Sequence, residues 1–405
     1  MKVLRPSMAS LVSLALAVLL ATTVRASDHL DSPSTVANPQ ADIGDVYAWM
    51  STDGRRLNLA LTIQGHTFSD KLLYAIHVDS GSAFGQTTAS SSISCRFSAA
   101  TAVNCNLDDT DSVAGDPTGP VGIHGRAHRL RVYAGLRDDP FYNNVKGLLA
   151  AYQVASGAVK NGAAVDAAGC AHFDEPTARL ILDRMSHTDG GPAQNLLHNW
   201  SVSAIVVSVD LEAVAKGGKL LAVWGSTSAG DKRIDRMGRP FVANTLLGVA
   251  PFSTDDASGQ RRQQYNEASS GNATQFVPDL EKALAFQDSL DGNCGNQVLA
   301  QPQDVAARYE ALASVFADDR LWVDSSSHLC TQFFAVELAN VAGRKSAATD
   351  CGGRAPTYDA PNTWRSLLIA GTPSGVSDGL HQDEHPPSAT EFPFLAPPDS
   401  QRVDH

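Results

Sequence analysis

Several chemistries have no foothold in this chain. No two of its 6 cysteines stand in a CxxC pair. That excludes zinc ribbons and thioredoxin-type redox sites. There is no GxSxG elbow, no phosphate-cradling GxxxxGK and no GxGxxG following a strand pattern, so the common serine-hydrolase, nucleotide and dinucleotide readings lose their usual support. No internal repeat or low-complexity tract is present, and no stretch beyond the first residues is long and apolar enough to span a bilayer.

What is present begins with a leader. Lys2 and Arg5 precede an apolar run from Leu11 to Ala21, and Val24-Arg25-Ala26 supplies short residues for a signal peptidase. Residues 1–26 are therefore expected to be a cleaved signal peptide. No cysteine follows the run, so a lipoprotein anchor is not supported. Cleavage after Ala26 leaves 379 of the 405 residues and removes Lys2, Arg5 and Arg25 but no acid, moving the formal charge from −12 to −15. An acidic chain of this kind is expected to repel nucleic acid and anionic membrane surfaces. A periplasmic or secreted location follows, with no transmembrane span after cleavage.

An even number of cysteines in an exported chain points to disulfides. Folding "SISCRFSAATAVNCNL" about residue 100 opposes Ile93 with Leu107, Cys95 with Cys105 and Phe97 with Val103 on one face, which predicts a hairpin bridged by Cys95–Cys105. Three pairings remain for Cys170, Cys294, Cys330 and Cys351, and proximity favours Cys330–Cys351.

Alternation of Leu57, Leu59, Leu61 and Ile63 with smaller or polar residues predicts a strand over 56–64. Asp53-Gly54 joins it to a preceding strand through Asp45–Trp49 as a hairpin. Further strands are expected at 72–79, 129–136, 201–210 and 219–224. Ile205-Val206-Val207 is apolar on both faces, as for a central strand. Helices are expected at 141–154, 279–289, 303–316 and 331–341. Loops are expected near 111–120, 226–231 and 253–273, and a surface-wrapping tail from Thr372 to His405. The expected class is mainly β (α+β): an antiparallel sandwich-like core with helical insertions in a single domain, 27–405, with a helical subregion at 275–345.

Four segments offer chemistry. A chain beginning Ser27-Asp28-His29 presents a free amine, two amide nitrogens and an imidazole, a set that suits square-planar Cu(II) or Ni(II). Asp28, Asp31, Asp42 and Asp45 supply hard oxygens of the kind that hold Ca²⁺, without calcium-loop spacing. In "AGLRDDPFY", Asp138 and Asp139 read either as a metal or acid–base pair or as structure: Asp139 capping a helix with Pro140 at its first position, and Arg137 pairing with Asp138. In "HQDEH", His381 and His385 enclose Asp383 and Glu384 at a spacing that would ligate a metal on a helix, although Pro386-Pro387 argues against a helix there.

Together, "SDHLDSP", "ADIGDVYAWMSTDGRRLNLALTI", "YAIHVD", "RVYAGLRDDPFY", "LLAVWGSTS" with "RIDRMGRPFV", and "FPFLAPP" resemble the exported bacterial proteins grouped as domain of unknown function 4331. The resemblance spans nearly the whole mature chain. It departs at Ala243-Asn244, where the family carries Asn-Glu, and at Pro397-Pro398, where it carries Pro-His. It implies an exported β-rich protein and supplies no reaction. Two functions follow as expectations. One is a binding or structural protein that holds a divalent metal near its amino terminus. The other is a metal-dependent enzyme built on Asp138, Asp139 and a nearby His.

Overall fold

The computed structural model describes residues 31–247, 256–269 and 273–399. The expected leader, its cut site and Ser27-Asp28-His29 lie outside them. Fourteen strands follow in chain order: β1 (Ile43–Met50), β2 (Arg56–Ile63), β3 (Leu73–Gly81), β4 (Ala89–Ala99), β5 (Ala102–Leu107), β6 (Asp111–Gly115), β7 (Ile123–His124), β8 (Leu130–Asp138), β9 (His187–Thr188), β10 (Gly191–Pro192), β11 (Ser201–Asp210), β12 (Leu220–Ala229), β13 (Lys232–Met237) and β14 (Leu321–Asp324). One sheet has the order β1-β2-β11-β8-β7. A second runs β13-β12-β3-β4-β5-β6, with β14 also pairing β12, while β9 and β10 form a small ribbon. Every pairing is antiparallel, so the chain is mainly β with helical insertions.

The alternation read from β2 places Leu59 and Leu61 with Val46 against the second sheet, where Ile76, Val78, Ile93 and Val223 are likewise buried. The sheets approach closely at Gly225. A Cβ there would lie 2.7 Å from Leu61 Cδ1 and 3.2 Å from Val46 Cγ2, so only glycine fits without a shift. β1 and β11 are buried along almost their whole length, because the other face of their sheet is covered too. There Phe241 bridges Phe141 (centroids 5.4 Å apart) and Trp364 (4.9 Å), joining the sheet to the helix Ala360–Ala370.

The hairpin register is the predicted one: Ile93, Cys95 and Phe97 oppose Leu107, Cys105 and Val103. Disulfides join Cys95–Cys105, Cys330–Cys351 and Cys170–Cys294.

Element boundaries differ in instructive places. The helix expected from Phe141 begins at Val145, capped by Asn144, whose side chain accepts the Gly147 N–H. Asp139 is therefore not a helix cap; its Oδ1 accepts the Phe141 N–H at 3.2 Å, a local turn. Arg137 does not pair with Asp138 but lies over the Tyr133 ring, 4.2 Å from its centroid. The helix expected over 303–316 covers only Glu310–Ala317. Residues 111–115 and 226–229 are strand rather than loop, and 256–267 are helix. Helices also form at Glu175–Met185 and Ala360–Ala370, beyond those expected. From Thr372 to Asp399 the chain has neither helix nor strand, yet Asp378, Asp383, Phe394 and Leu395 are buried. This tail threads into the body rather than merely coating it.

Candidate functional site

The site forms where β8 ends. Pro140 has no N–H to continue a ladder, so the strand stops just before it. Asp138 still faces Ser201 of β11 in register, but its N–H has passed to the tail and donates to Ala396 O at 3.1 Å. The Asp139 N–H donates to Trp200 O at 3.0 Å. Neighbouring residues of an extended chain point to opposite sides. Asp138 accordingly meets the tail, and Asp139 turns toward the core.

The tail is held from several directions. Trp49 Nε1 donates to Ala389 O at 2.9 Å, and its ring meets Phe394 edge-on at 4.8 Å. The Tyr142 hydroxyl donates to His381 O at 2.9 Å. The Asp399 N–H donates to Ser201 Oγ at 3.2 Å. Between these ties, "HQDEH" runs without helical structure, as Pro386-Pro387 predicts. In such a chain the residues that share a side are i and i+2. Asp383 and His385 face Asp138 together, whereas His381, at the far end of the segment, is turned to another partner. Its Nδ1 lies 3.3 Å from Asp359 Oδ2, with the side chain 72% exposed.

Asp138, Asp383 and His385 each offer one donor atom, and these three atoms lie within 4.8 Å of one another. His385 Nδ1 is 3.3 Å from Asp138 Oδ1 but makes no hydrogen bond to it. His385 Nε2 lies 3.9 Å from Asp399 Oδ2. Asp383 Oδ1 accepts the His385 N–H at 2.8 Å, and its Oδ2 accepts from Asn195 Nδ2 at 3.1 Å. Asn195 is itself fixed, because its Oδ1 accepts the N–H groups of Asn143 and Leu197, each at 3.1 Å. Glu384 points elsewhere: it accepts from Asn195 at 3.2 Å and pairs closely with His198. Although burial works the other way, the Asn195 and His198 contacts hold its carboxyl below the usual range.

Behind this trio sits a second acidic layer. Asp45 pairs with Arg354, both almost wholly buried, and the Arg354 guanidinium stacks on Tyr47 with 4.2 Å to the ring centroid. Asp139 is close enough to feel the charges of Asp45 and Asp383. Asp139 Oδ2 and Asp45 Oδ2 are buried and accept no hydrogen bond.

The electrostatics follow from this crowding. Burial pushes the Asp138 carboxyl up to about 9; Asp383 adds to the shift through its charge and through a side-chain hydrogen bond between the two carboxyls, and the charges of Asp139 and Glu384 add less. Asp383 is raised to about 6, again chiefly by burial. Asp139 is held well above the carboxylate range by burial and by Asp45. Arg354 relieves only part of this crowding; a divalent cation among the oxygens of Asp138 and Asp383 would supply further positive charge there.

The structure thus joins two segments that were separate in sequence, "RDDP" and "HQDEH". It assigns Asp138 to the trio and Asp139 to the layer behind it. Asp383 and His385 carried a legible signal, an Asp-x-His pair before Pro-Pro. Asn195 and Asp399 carried none. Of the amino-terminal acids, Asp45 is an ion-pair partner of Arg354, and Asp31 sits elsewhere, its Oδ1 accepting from Thr35 at 3.3 Å. Asp28 lies outside the described residues. The expected calcium cluster of Asp28, Asp31, Asp42 and Asp45 is not assembled among the described residues. Another grouping, Asp166, His172 and Cys294, is no metal site, because the Cys294 sulfur is bonded to Cys170 and Asp166 is paired with Arg308.

No family model, no curated protein and no solved structure matches this chain.

Proposed function

We propose that this chain is an exported protein that binds one divalent cation between Asp138, Asp383 and His385. The observation that carries the reading is the arrangement of the three donors. They converge within 4.8 Å, and His385 Nδ1 sits beside a carboxylate oxygen without hydrogen-bonding to it. Two carboxylate oxygens and one imidazole nitrogen suit a borderline ion such as Zn²⁺ or Mn²⁺ better than the all-oxygen preference of Ca²⁺. Asn195 orients Asp383, and Asp399 lies on the far side of the His385 ring, the outer partners such ligands commonly have. A cation here would also tie the tail to the end of β8. Three disulfides with all six cysteines paired, no helix among the described residues long and apolar enough to cross a membrane, and the leader-like start support export.

A second reading, a metal-dependent hydrolase, is favoured by one observation. The His385 side chain is 42% exposed, so this edge of the trio is open to water. Metal catalysis needs a coordination position of that kind.

Calorimetric titration of metal-free protein with Zn²⁺, Mn²⁺ and Ca²⁺ in turn tests the proposal. Binding of one Zn²⁺ or Mn²⁺ per chain is expected. It should be lost in Asp383→Asn and His385→Ala and kept in His381→Ala. No heat with any of the ions, or unchanged binding in both ligand variants, contradicts it.

A further inference from the structure

On a chain of net negative charge, the segment "HGRAHRLR" (His124 to Arg131) concentrates cations. Asp111 explains how they are displayed. Its carboxylate accepts the backbone N–H groups of Ser112, Ala127 and Arg129 at 2.8 Å and of Leu130 at 3.0 Å. Both oxygens are consumed inside the loop. This pins the connection between β7 and β8 and turns His124, Arg126, His128 and Arg129 outward, where all four are exposed.

The cluster extends onto the sheet. His124 pairs in register with Arg131, and the His124 and His128 rings are 6.1 Å apart. Arg56 reaches the same corner, donating to Arg129 O at 3.3 Å. The groups are close enough to be felt: besides partial burial, the charges of Arg131, His128 and Arg56 hold His124 below its usual range. Arg56 is matched by Asp210, but Arg126, Arg129 and Arg131 have no carboxylate partner among the described residues. Apolar surface adjoins them. Val121, whose carbonyl accepts from Arg131 Nε at 2.8 Å, is 65% exposed, and half-exposed Phe392 lies under the Arg131 guanidinium at 4.0 Å.

We propose that this corner docks on a bilayer surface bearing anionic phospholipid headgroups. Unpaired arginines meet the phosphates, and the Val121 turn sits at the level of the first acyl carbons. The overall negative charge does not forbid this, because charges beyond about 8 Å are largely screened at physiological ionic strength. At contact the local cations decide the sign, each worth about fivefold in partition. The exposed Val121 favours a bilayer over a purely polar polyanion.

Flotation of the purified protein with vesicles in which about one lipid in three is phosphatidylglycerol tests the assignment. Binding is expected there, not on pure phosphatidylcholine, and it should fall by about tenfold or more in Arg126→Ser/Arg129→Ser. The control Lys160→Ser/Arg179→Ser, on helices elsewhere, should bind as the unaltered protein does. Matching thermal unfolding curves establish that the first variant folds; if it does not, loss of vesicle binding by the unaltered protein at high salt takes its place. Equal binding to both vesicle types, or equal binding by the two double variants, overturns the proposal. So does stoichiometric binding of inorganic phosphate that abolishes flotation at constant ionic strength, or retention by DNA without retention by vesicles.

Discussion

His385 Nδ1 lies 3.3 Å from Asp138 Oδ1, and the two do not hydrogen-bond. The two groups lie within ion-pair distance, yet Nδ1 is buried and has no hydrogen-bond partner. Asp383 completes the approach from the same tail, held by Asn195. Two carboxylates and an imidazole brought to one point are a common answer to a divalent cation.

The second acidic layer makes a stability prediction. Asp45 and Arg354 are an almost fully buried pair. Removing the cation leaves an uncompensated buried carboxylate, so Arg354→Ala should cost about 3–5 kcal/mol in urea unfolding. Arg354→Met combined with Asp45→Asn removes both charges and should cost markedly less than Arg354→Ala. An equal loss in the two would mean that packing, not charge, governs this position.

His77 gives a pH dependence. Its ring stacks on Trp224 at 3.8 Å, and burial lowers its pKa from the ordinary 6.5 to about 4. The unfolded chain then takes up the proton first. The neutral ring's contribution is fully present above pH 6.5 and is lost as pH falls toward 4, by up to about 3 kcal/mol. His77→Phe keeps a ring over Trp224 and carries no proton. Its stability, measured by denaturant at about pH 7 and about pH 4, should fall less than that of the unaltered protein; a parallel decline excludes His77 as the source.

The disulfides differ in the loops they close. Cys170–Cys294 spans 124 residues and Cys95–Cys105 only 10. Chain entropy predicts that Cys170→Ser/Cys294→Ser is the costlier change, by about 4–5 kcal/mol against about 3 for Cys95→Ser/Cys105→Ser. Chemical unfolding of both variants checks the order.

The sequence was most legible where period and register carry the information. The match of Ile93, Cys95 and Phe97 to Leu107, Cys105 and Val103 needed only a fold about one point, and it is the observed register. The alternation of β2 named the face that meets the second sheet, but not that Asn58, Ala60 and Thr62 on the other face would be buried as well. The helix 256–267 was illegible because "DASGQRRQQYNE" has almost no apolar stripe; polar bonds dock it instead, such as Arg262 Nε to Asp31 O at 2.6 Å. Asp138 could be singled out as chemistry because adjacent acids close a strand. Its partners could not, since nothing local in residues 381–385 says which β-strand they will meet. The helical spacing of His381 and His385 was the wrong period for a segment that Pro386-Pro387 keeps extended.

The cation site is tested most directly by anomalous diffraction from crystals grown with Zn²⁺, recorded at the zinc edge. The expected result is one peak about 2.0–2.2 Å from His385 Nδ1 and from one oxygen each of Asp138 and Asp383. A well-ordered trio with no peak at the zinc edge would contradict it.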